Sequence, residues 1–103
     1  MMKQLEELSH TIGLMIIDSY GLGGKSAESF MTHYMLLRVM KYVPPPSGGN
    51  ANALFPHTDK FSSVLLCEDQ VAGLEIETKD GQWVKVLPSP GSFVFIVGDS
   101  LMV

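Results

Sequence analysis

His57 and Asp59 are the two residues of this chain whose types and spacing most clearly suggest chemistry. Only Thr58 separates them, and an apolar run beginning at Phe61 follows them. Side chains two residues apart in an extended chain point to the same side, so an imidazole and a carboxylate would meet there. Because both groups are ligands of divalent transition metals, the pair predicts a place where one metal ion can bind.

A third ligand is not evident from the sequence. Two histidines and one carboxylate on the same side of an iron ion form a common non-haem Fe(II) site. The chain has three histidines, and none of them follows Asp59. We interpret His10 as a surface residue of an amphipathic helix and His33 as a boundary residue before the first predicted strand. Taken without other information, the His57 and Asp59 pair is also compatible with ordinary loop hydrogen bonds.

The composition narrows the class of protein. A chain of 103 residues, 46% of them hydrophobic, suits one domain with a modest core. The net charge of −4 and the scattered basic residues provide no surface for nucleic acid. The apolar runs are much shorter than the roughly 20 residues that cross a bilayer, and the N-terminus does not resemble a signal peptide. With a single cysteine that cannot form an internal disulfide, we expect a cytoplasmic protein without nucleic-acid or membrane partners.

The order of predicted elements is a helix followed by short strands. Apolar residues at three- and four-residue steps predict a helix over residues 3–20, and a short turn is possible at 26–30. Alternating or apolar runs predict strands at 35–43, 62–67, 74–78, 82–87 and 92–97. A proline- and glycine-rich loop separates the first strand from His57, and Asp80-Gly81 predicts a tight hairpin between the third and fourth strands.

These elements predict a mainly β fold with an N-terminal helix. We expect a single partial domain over residues 1–103, with a helical lead-in at 1–34 and a β core at 35–103. A sandwich or half of a jelly roll is the architecture that fits this order. We expect the strand at 92–97 to be buried on both faces. The side chains expected in the core are Trp83, Phe93, Phe95 and Cys67.

Several motifs in their order along the chain resemble a known family, the plant 2-oxoglutarate- and Fe(II)-dependent dioxygenases. The resemblance covers nearly the whole chain and is strongest to the subgroup that includes the AOP glucosinolate enzymes. The family fold is a double-stranded β-helix, a cupin-like jelly roll. The segments that carry the resemblance are 37–42, 56–60, 71–75, 79–84, 88–93 and 98–101.

The resemblance also implies an activity and a set of site residues. It implies that His57 and Asp59 are iron ligands and that Tyr42 is a hydrogen-bond partner of 2-oxoglutarate. The implied cofactors are Fe(II), 2-oxoglutarate as co-substrate, and ascorbate as a supporting reductant. The implied reaction couples decarboxylation of 2-oxoglutarate to oxidation of a small organic metabolite. For Tyr42 a core aromatic residue is an equally open interpretation, and Arg38 on the same predicted face is interpreted as a partner of an acidic residue.

The chain departs from the family pattern in one important respect. Family members have a segment that corresponds to residues 98–101 of this chain. After it they continue into a second iron-binding histidine and an Arg-x-Ser pair that binds 2-oxoglutarate, and neither is present here. We therefore expect a core segment of a dioxygenase that is inactive by itself. The alternatives are a non-catalytic remnant or interaction protein with weak metal affinity, and a small cupin-like metal-binding domain. Unpaired strand edges also predict self-association of the chain.

Overall fold

A computed structural model describes residues 1–24, 36–48, 53–69 and 71–102. The chain divides into two compact units, Met1–Ala53 and Leu54–Val103. The helical prediction at 26–30 and His33 lie outside the described residues. The single-domain organisation, with its boundary near residue 35, stays a prediction.

The first unit contains the helix α1, Met2–Ser19, which confirms the predicted helix. Its most buried residues are Gly13 and Ile17. The predicted apolar stripe contains Leu5, Leu8, Ile12 and Met15. The buried face is rotated from it, since Met15 is exposed. The amide nitrogens of Gly21 and Leu22 donate to the carbonyls of Asp18 and Ile17, at 3.0 and 3.2 Å. These two hydrogen bonds satisfy carbonyls at the end of the helix and terminate it.

The strand predicted at 35–43 is wrong for the residues that the structure describes. Residues 36–43 have no regular secondary structure, and all of them are exposed. Their alternating pattern fits a strand, but a strand forms only when its backbone groups pair with a neighbour. Within the described parts of the chain, residues 36–43 pair with no strand. The ion pair predicted for Arg38 is likewise not found among the described residues.

The second unit is built from two antiparallel pairs of strands. In sequence one pair encloses the other. The outer pair joins β1, Ser63–Leu66, to β4, Val94–Val97, with Ser63 opposite Val97 and Leu66 opposite Val94. The inner pair joins β2, Glu75–Glu77, to β3, Trp83–Lys85. All four strands lie inside ranges predicted from the sequence. The described residues are therefore a helix followed by strands, as expected.

The inner pair is a hairpin closed by residues 79–81. The Thr78 amide nitrogen donates to the Gln82 carbonyl at 2.8 Å, and the Gly81 amide nitrogen donates to the Thr78 carbonyl at 2.9 Å. Gly81 has a φ of 80°, which glycine adopts more readily than other residues. A three-residue loop with glycine at this position is a common hairpin connection. The turn predicted from Asp80-Gly81 is confirmed.

The core is smaller than the sequence suggested. Ile17, in the first unit, is the one large apolar residue that is buried among the described residues, and it is still 5% exposed. The predictions that Trp83, Phe93 and Cys67 are buried are wrong, since all three are exposed. Strand β4 is half-buried rather than buried on both faces. The reason is that each sheet has two strands, and two strands alone cannot cover both faces of their side chains.

Within the residues that the structure describes, no helix is both long enough and apolar enough to cross a membrane.

Gly98, directly after β4, is buried where two backbone segments approach closely. Its amide nitrogen donates to the Ser62 carbonyl at 3.0 Å. A Cβ atom added at Gly98 would lie 1.8 Å from the Phe61 carbonyl oxygen and 2.7 Å from that of Asp59. Real Cβ atoms do not approach backbone oxygens so closely, so a side chain here requires the backbone to move.

We predict that Gly98→Ala lowers the free energy of unfolding by about 1–3 kcal/mol, the usual cost of forcing an extra methyl group into a packed position. Urea unfolding followed by far-UV circular dichroism measures the change. Gly73→Ala is the matched control, because the nearest atom to an added Cβ there, Oε1 of Glu68, is at a comfortable 3.9 Å. Equal unfolding midpoints for the two variants would contradict the close approach.

Candidate metal centre

His57 and Asp59 lie in the second unit, in the irregular segment just before β1. The His57 Nε2 atom is 3.6 Å from the Asp59 Oδ1 atom. The two side chains therefore point to the same side, as the spacing predicted. They lie near the surface, with the His57 side chain 52% exposed and that of Asp59 29% exposed.

A hydrogen bond to the backbone orients the His57 ring. The Nδ1 atom is 2.8 Å from the Phe55 carbonyl oxygen. A carbonyl can only accept, so Nδ1 carries the proton and donates it to this bond. In the neutral ring this leaves a lone pair on Nε2, the nitrogen that faces Asp59. A metal-binding histidine is oriented in the same way, by donating its other ring N–H to a carbonyl or carboxylate.

The arrangement places two acceptors opposite each other. With a neutral His57, the Nε2 lone pair and the Asp59 carboxylate repel each other unless a cation or a proton lies between them. Their 3.6 Å separation is too long for a good hydrogen bond. First-row divalent ions bind such atoms at about 2.1 Å, so two ligands of one ion lie no more than about 4.2 Å apart. The residues therefore fit a shared metal ion.

Residues 98–101, which follow β4, form a turn closed by a 3.0 Å hydrogen bond from the Leu101 amide nitrogen to the Gly98 carbonyl. We call this segment the 98–101 turn. Its Asp99 amide nitrogen donates to the Asp59 carbonyl at 2.7 Å. The Thr58 hydroxyl donates to Oδ2 of Asp99 at 2.8 Å. The turn thus holds Asp59 through its backbone and holds Thr58, the residue between the two candidate ligands, through its side chain.

A third contact extends the same attachment by one residue. The Ser100 hydroxyl donates to the Lys60 carbonyl at 2.8 Å. In the sequence, Gly98, Asp99 and Ser100 are only part of the segment that resembles the family, and no role at the site was predicted for them. A glycine followed by an acidic residue at the end of an apolar strand was the available signal, but it did not identify the partner segment.

Of the other two histidines considered as ligands, His10 alone lies within the described residues. His10 is exposed on α1, in the first unit. Within the described residues, no group of three His, Cys, Asp or Glu side chains could hold a metal ion together. The structure thus brings together two candidate ligands and supplies no third one from the described residues.

Tyr42 belongs to the first unit, among the irregular residues 36–48. Its side chain is 51% exposed, and its hydroxyl lies 3.7 Å from the Met40 sulfur. The interpretation of Tyr42 as a core aromatic residue is therefore wrong. Its role toward 2-oxoglutarate stays a prediction.

Comparison with known proteins identifies relatives over most of the chain. The family model of the 2OG-Fe(II) oxygenase superfamily matches residues 28–103. A probable 2-oxoglutarate-dependent dioxygenase of Arabidopsis thaliana, AOP1.2, is 40% identical over 96% of this chain and 32% of its own length. Another, AOP1, is 41% identical over 96% of this chain and 34% of its own length. The rice (Oryza sativa subsp. indica) gibberellin 20 oxidase 2 is 34% identical over 97% of this chain and 26% of its own length.

The chain spans about a third of the length of the curated relatives it matches. No solved structure matches the chain significantly. The family is one whose members use Fe(II) and 2-oxoglutarate, which agrees with the metal and co-substrate expected from the sequence. Because the family model covers well over half of the chain and includes both His57 and Asp59, the chain belongs to the 2OG-Fe(II) oxygenase superfamily.

Proposed function

We propose that this chain supplies two iron ligands, His57 and Asp59, to a 2-oxoglutarate- and Fe(II)-dependent dioxygenase that oxidises a small organic molecule. The observation that carries the proposal is the 3.6 Å approach of the His57 Nε2 atom to the Asp59 carboxylate, with Nδ1 already bonded to a carbonyl. The His57 Nε2 atom and the Asp59 carboxylate both donate electron pairs, so this arrangement favours binding of a cation over direct contact between the two groups. Membership of the superfamily, whose members use Fe(II), supports Fe(II) as that cation.

In this proposal Phe55, His57 and Asp59 have different roles. The Phe55 carbonyl accepts the Nδ1 proton, which fixes the ring tautomer and makes Nε2 a better donor to a metal. The Asp59 carboxylate brings one negative charge to the same place. When bound, the iron and 2-oxoglutarate supply the oxidising chemistry, and the protein supplies placement. We assign Tyr42 to hydrogen bonding with 2-oxoglutarate on the basis of the family resemblance alone.

The proposal includes the family fold, a jelly roll. The strand pairing supports it, because β1 pairs with β4 while β2 and β3, which lie between them in sequence, pair with each other. Such nested antiparallel pairs are what a jelly roll is assembled from. We also keep a cytoplasmic location as a prediction, which imaging of a tagged full-length protein would test.

An alternative is a non-catalytic member of the family. One observation favours it. The described residues provide no third metal ligand. Iron-dependent formation of succinate from 2-oxoglutarate by the protein as it occurs in the cell distinguishes the two functions, because this chain by itself is expected to be inactive under both. Metal binding at His57 without succinate formation by that protein would favour the alternative.

We predict that His57→Ala weakens Mn²⁺ binding by more than about tenfold, since loss of a ligand costs at least as much as loss of a group that orients one. Mn²⁺ is used because its free form is quantified directly by electron paramagnetic resonance. His10→Ala is the matched control, an exposed histidine in the other unit. If the two variants bind Mn²⁺ equally well, His57 is not a ligand.

Self-association through strand edges is a second proposal. Within the described residues, β1 and β4 each pair with one strand, so each has an unpaired edge. Val97, at the end of β4, is 45% exposed, and the strand is uncharged. Unpaired apolar edges are common sites of strand pairing between chains.

We predict that the chain associates as its concentration rises and that Val97→Lys reduces this association, because a lysine at an edge disfavours pairing with another chain. Size-exclusion chromatography with light scattering gives the mass at each concentration. Leu87→Lys, an equivalent change at a more exposed position outside the strands, serves as the control. A parent chain that stays monomeric throughout would refute the prediction.

A further inference from the structure

We propose that Asp99 is a positioning residue for the metal centre and that it acts through Thr58 and the backbone of Asp59. This inference rests on the proposed function, since it assumes that His57 and Asp59 bind a metal. It adds a role for residues that are not themselves ligands. The juxtaposition that carries it is the 98–101 turn against residues 58–60.

Thr58 lies between the two proposed ligands, His57 and Asp59. Its hydroxyl donates to Oδ2 of Asp99 at 2.8 Å, and these two residues are 41 positions apart in the chain. A hydrogen bond to a carboxylate is stronger than one between neutral groups. Holding the residue between His57 and Asp59 restricts the backbone dihedrals on both sides of it. The two ligand side chains then have fewer orientations to sample.

Asp99 also contacts Asp59 through the backbone. The Asp99 amide nitrogen donates to the Asp59 carbonyl at 2.7 Å, and this short bond fixes the peptide group that leads out of the ligand residue. Asp99 thus holds two successive residues, one through its side chain and one through its backbone.

Asp99 reaches this position because Gly98 precedes it. Gly98 has no Cβ where one would collide with the Phe61 carbonyl, so the turn can approach close enough for the Asp99 amide to reach Asp59. The Ser100 hydroxyl bonds the Lys60 carbonyl at 2.8 Å and holds the other side of the turn. These hydrogen bonds join the 98–101 turn to residues 58–60, the segment that contains the proposed ligand Asp59. Asp99 therefore acts on the metal through the ligands and not by binding it.

The test compares Thr58→Val, which removes the hydroxyl at nearly constant shape, with Thr58→Ser, which keeps it. Loss of a group that orients a ligand typically weakens metal binding by about 10- to 100-fold. We expect Thr58→Val to weaken Mn²⁺ binding by about tenfold or more and Thr58→Ser to restore it. Thr78→Val is the matched control, since the Thr78 hydroxyl makes its hydrogen bonds inside the β2–β3 hairpin. It should affect stability without affecting Mn²⁺ binding.

Asp99→Asn separates positioning from direct ligation. The amide oxygen of asparagine still accepts the hydrogen bond from the Thr58 hydroxyl, and the backbone N–H is unchanged. We therefore expect Asp99→Asn to weaken Mn²⁺ binding less than Thr58→Val does. If Asp99→Asn loses as much as His57→Ala while Thr58→Val loses nothing, Asp99 is a ligand and the positioning role is overturned. If His57→Ala leaves binding unchanged, the proposed metal centre itself fails.

A second measurement needs no metal. Three-bond couplings in the NMR spectrum of the labelled, metal-free chain report whether the Asp59 side chain occupies one rotamer or several. We expect a single rotamer in the parent and in Thr58→Ser, and averaged couplings in Thr58→Val. A single unchanged rotamer in Thr58→Val would overturn the proposal, even for a chain that binds Mn²⁺ weakly.

Discussion

The candidate site depends on the antiparallel pairing of β1 with β4. This register places Ser63 opposite Val97, so the residues that follow Val97 run beside those that precede Ser63. The 98–101 turn therefore meets residues 58–62, although about 40 residues separate them in sequence. The approach is close enough that Gly98 has no space for a side chain. A shift of one residue in this register would separate Asp99 from Asp59 and turn every side chain of the strand to the opposite face.

The contact between His57 and Asp59 is not a strong source of stability. Ion pairs at exposed positions contribute about 0–1 kcal/mol to stability, because water screens them and ordering their side chains costs entropy. At 52% and 29% exposure, this pair has little to contribute in that way. The Phe55 carbonyl, however, keeps the His57 ring turned so that Nε2 faces the carboxylate. Orientation without much stabilisation is a property expected of a binding site.

Hydrogen bonds, more than apolar packing, hold the segment that contains the candidate site. The four strands are half-buried or exposed, and each sheet has two strands. Few large side chains are therefore available to hold the segment before β1 in place. The bonds from Asp99 and Ser100 to residues 59 and 60, together with that from Thr58, do this instead. Since these groups are near the surface, each bond alone contributes modestly, and their combined effect is what orients the segment.

The sequence by itself determined the features that depend on neighbouring residues. The period of apolar residues located α1, Asp80-Gly81 located the hairpin, and the spacing of His57 and Asp59 placed their side chains on one side. Only the tertiary structure decided that residues 36–43 form no strand, that Trp83 and Cys67 are exposed, and that Thr58 bonds Asp99. Strand formation, burial and such contacts depend on which distant segments pair. Local patterns do not specify that pairing, because the same alternation of residues suits a paired strand and an unpaired one equally well.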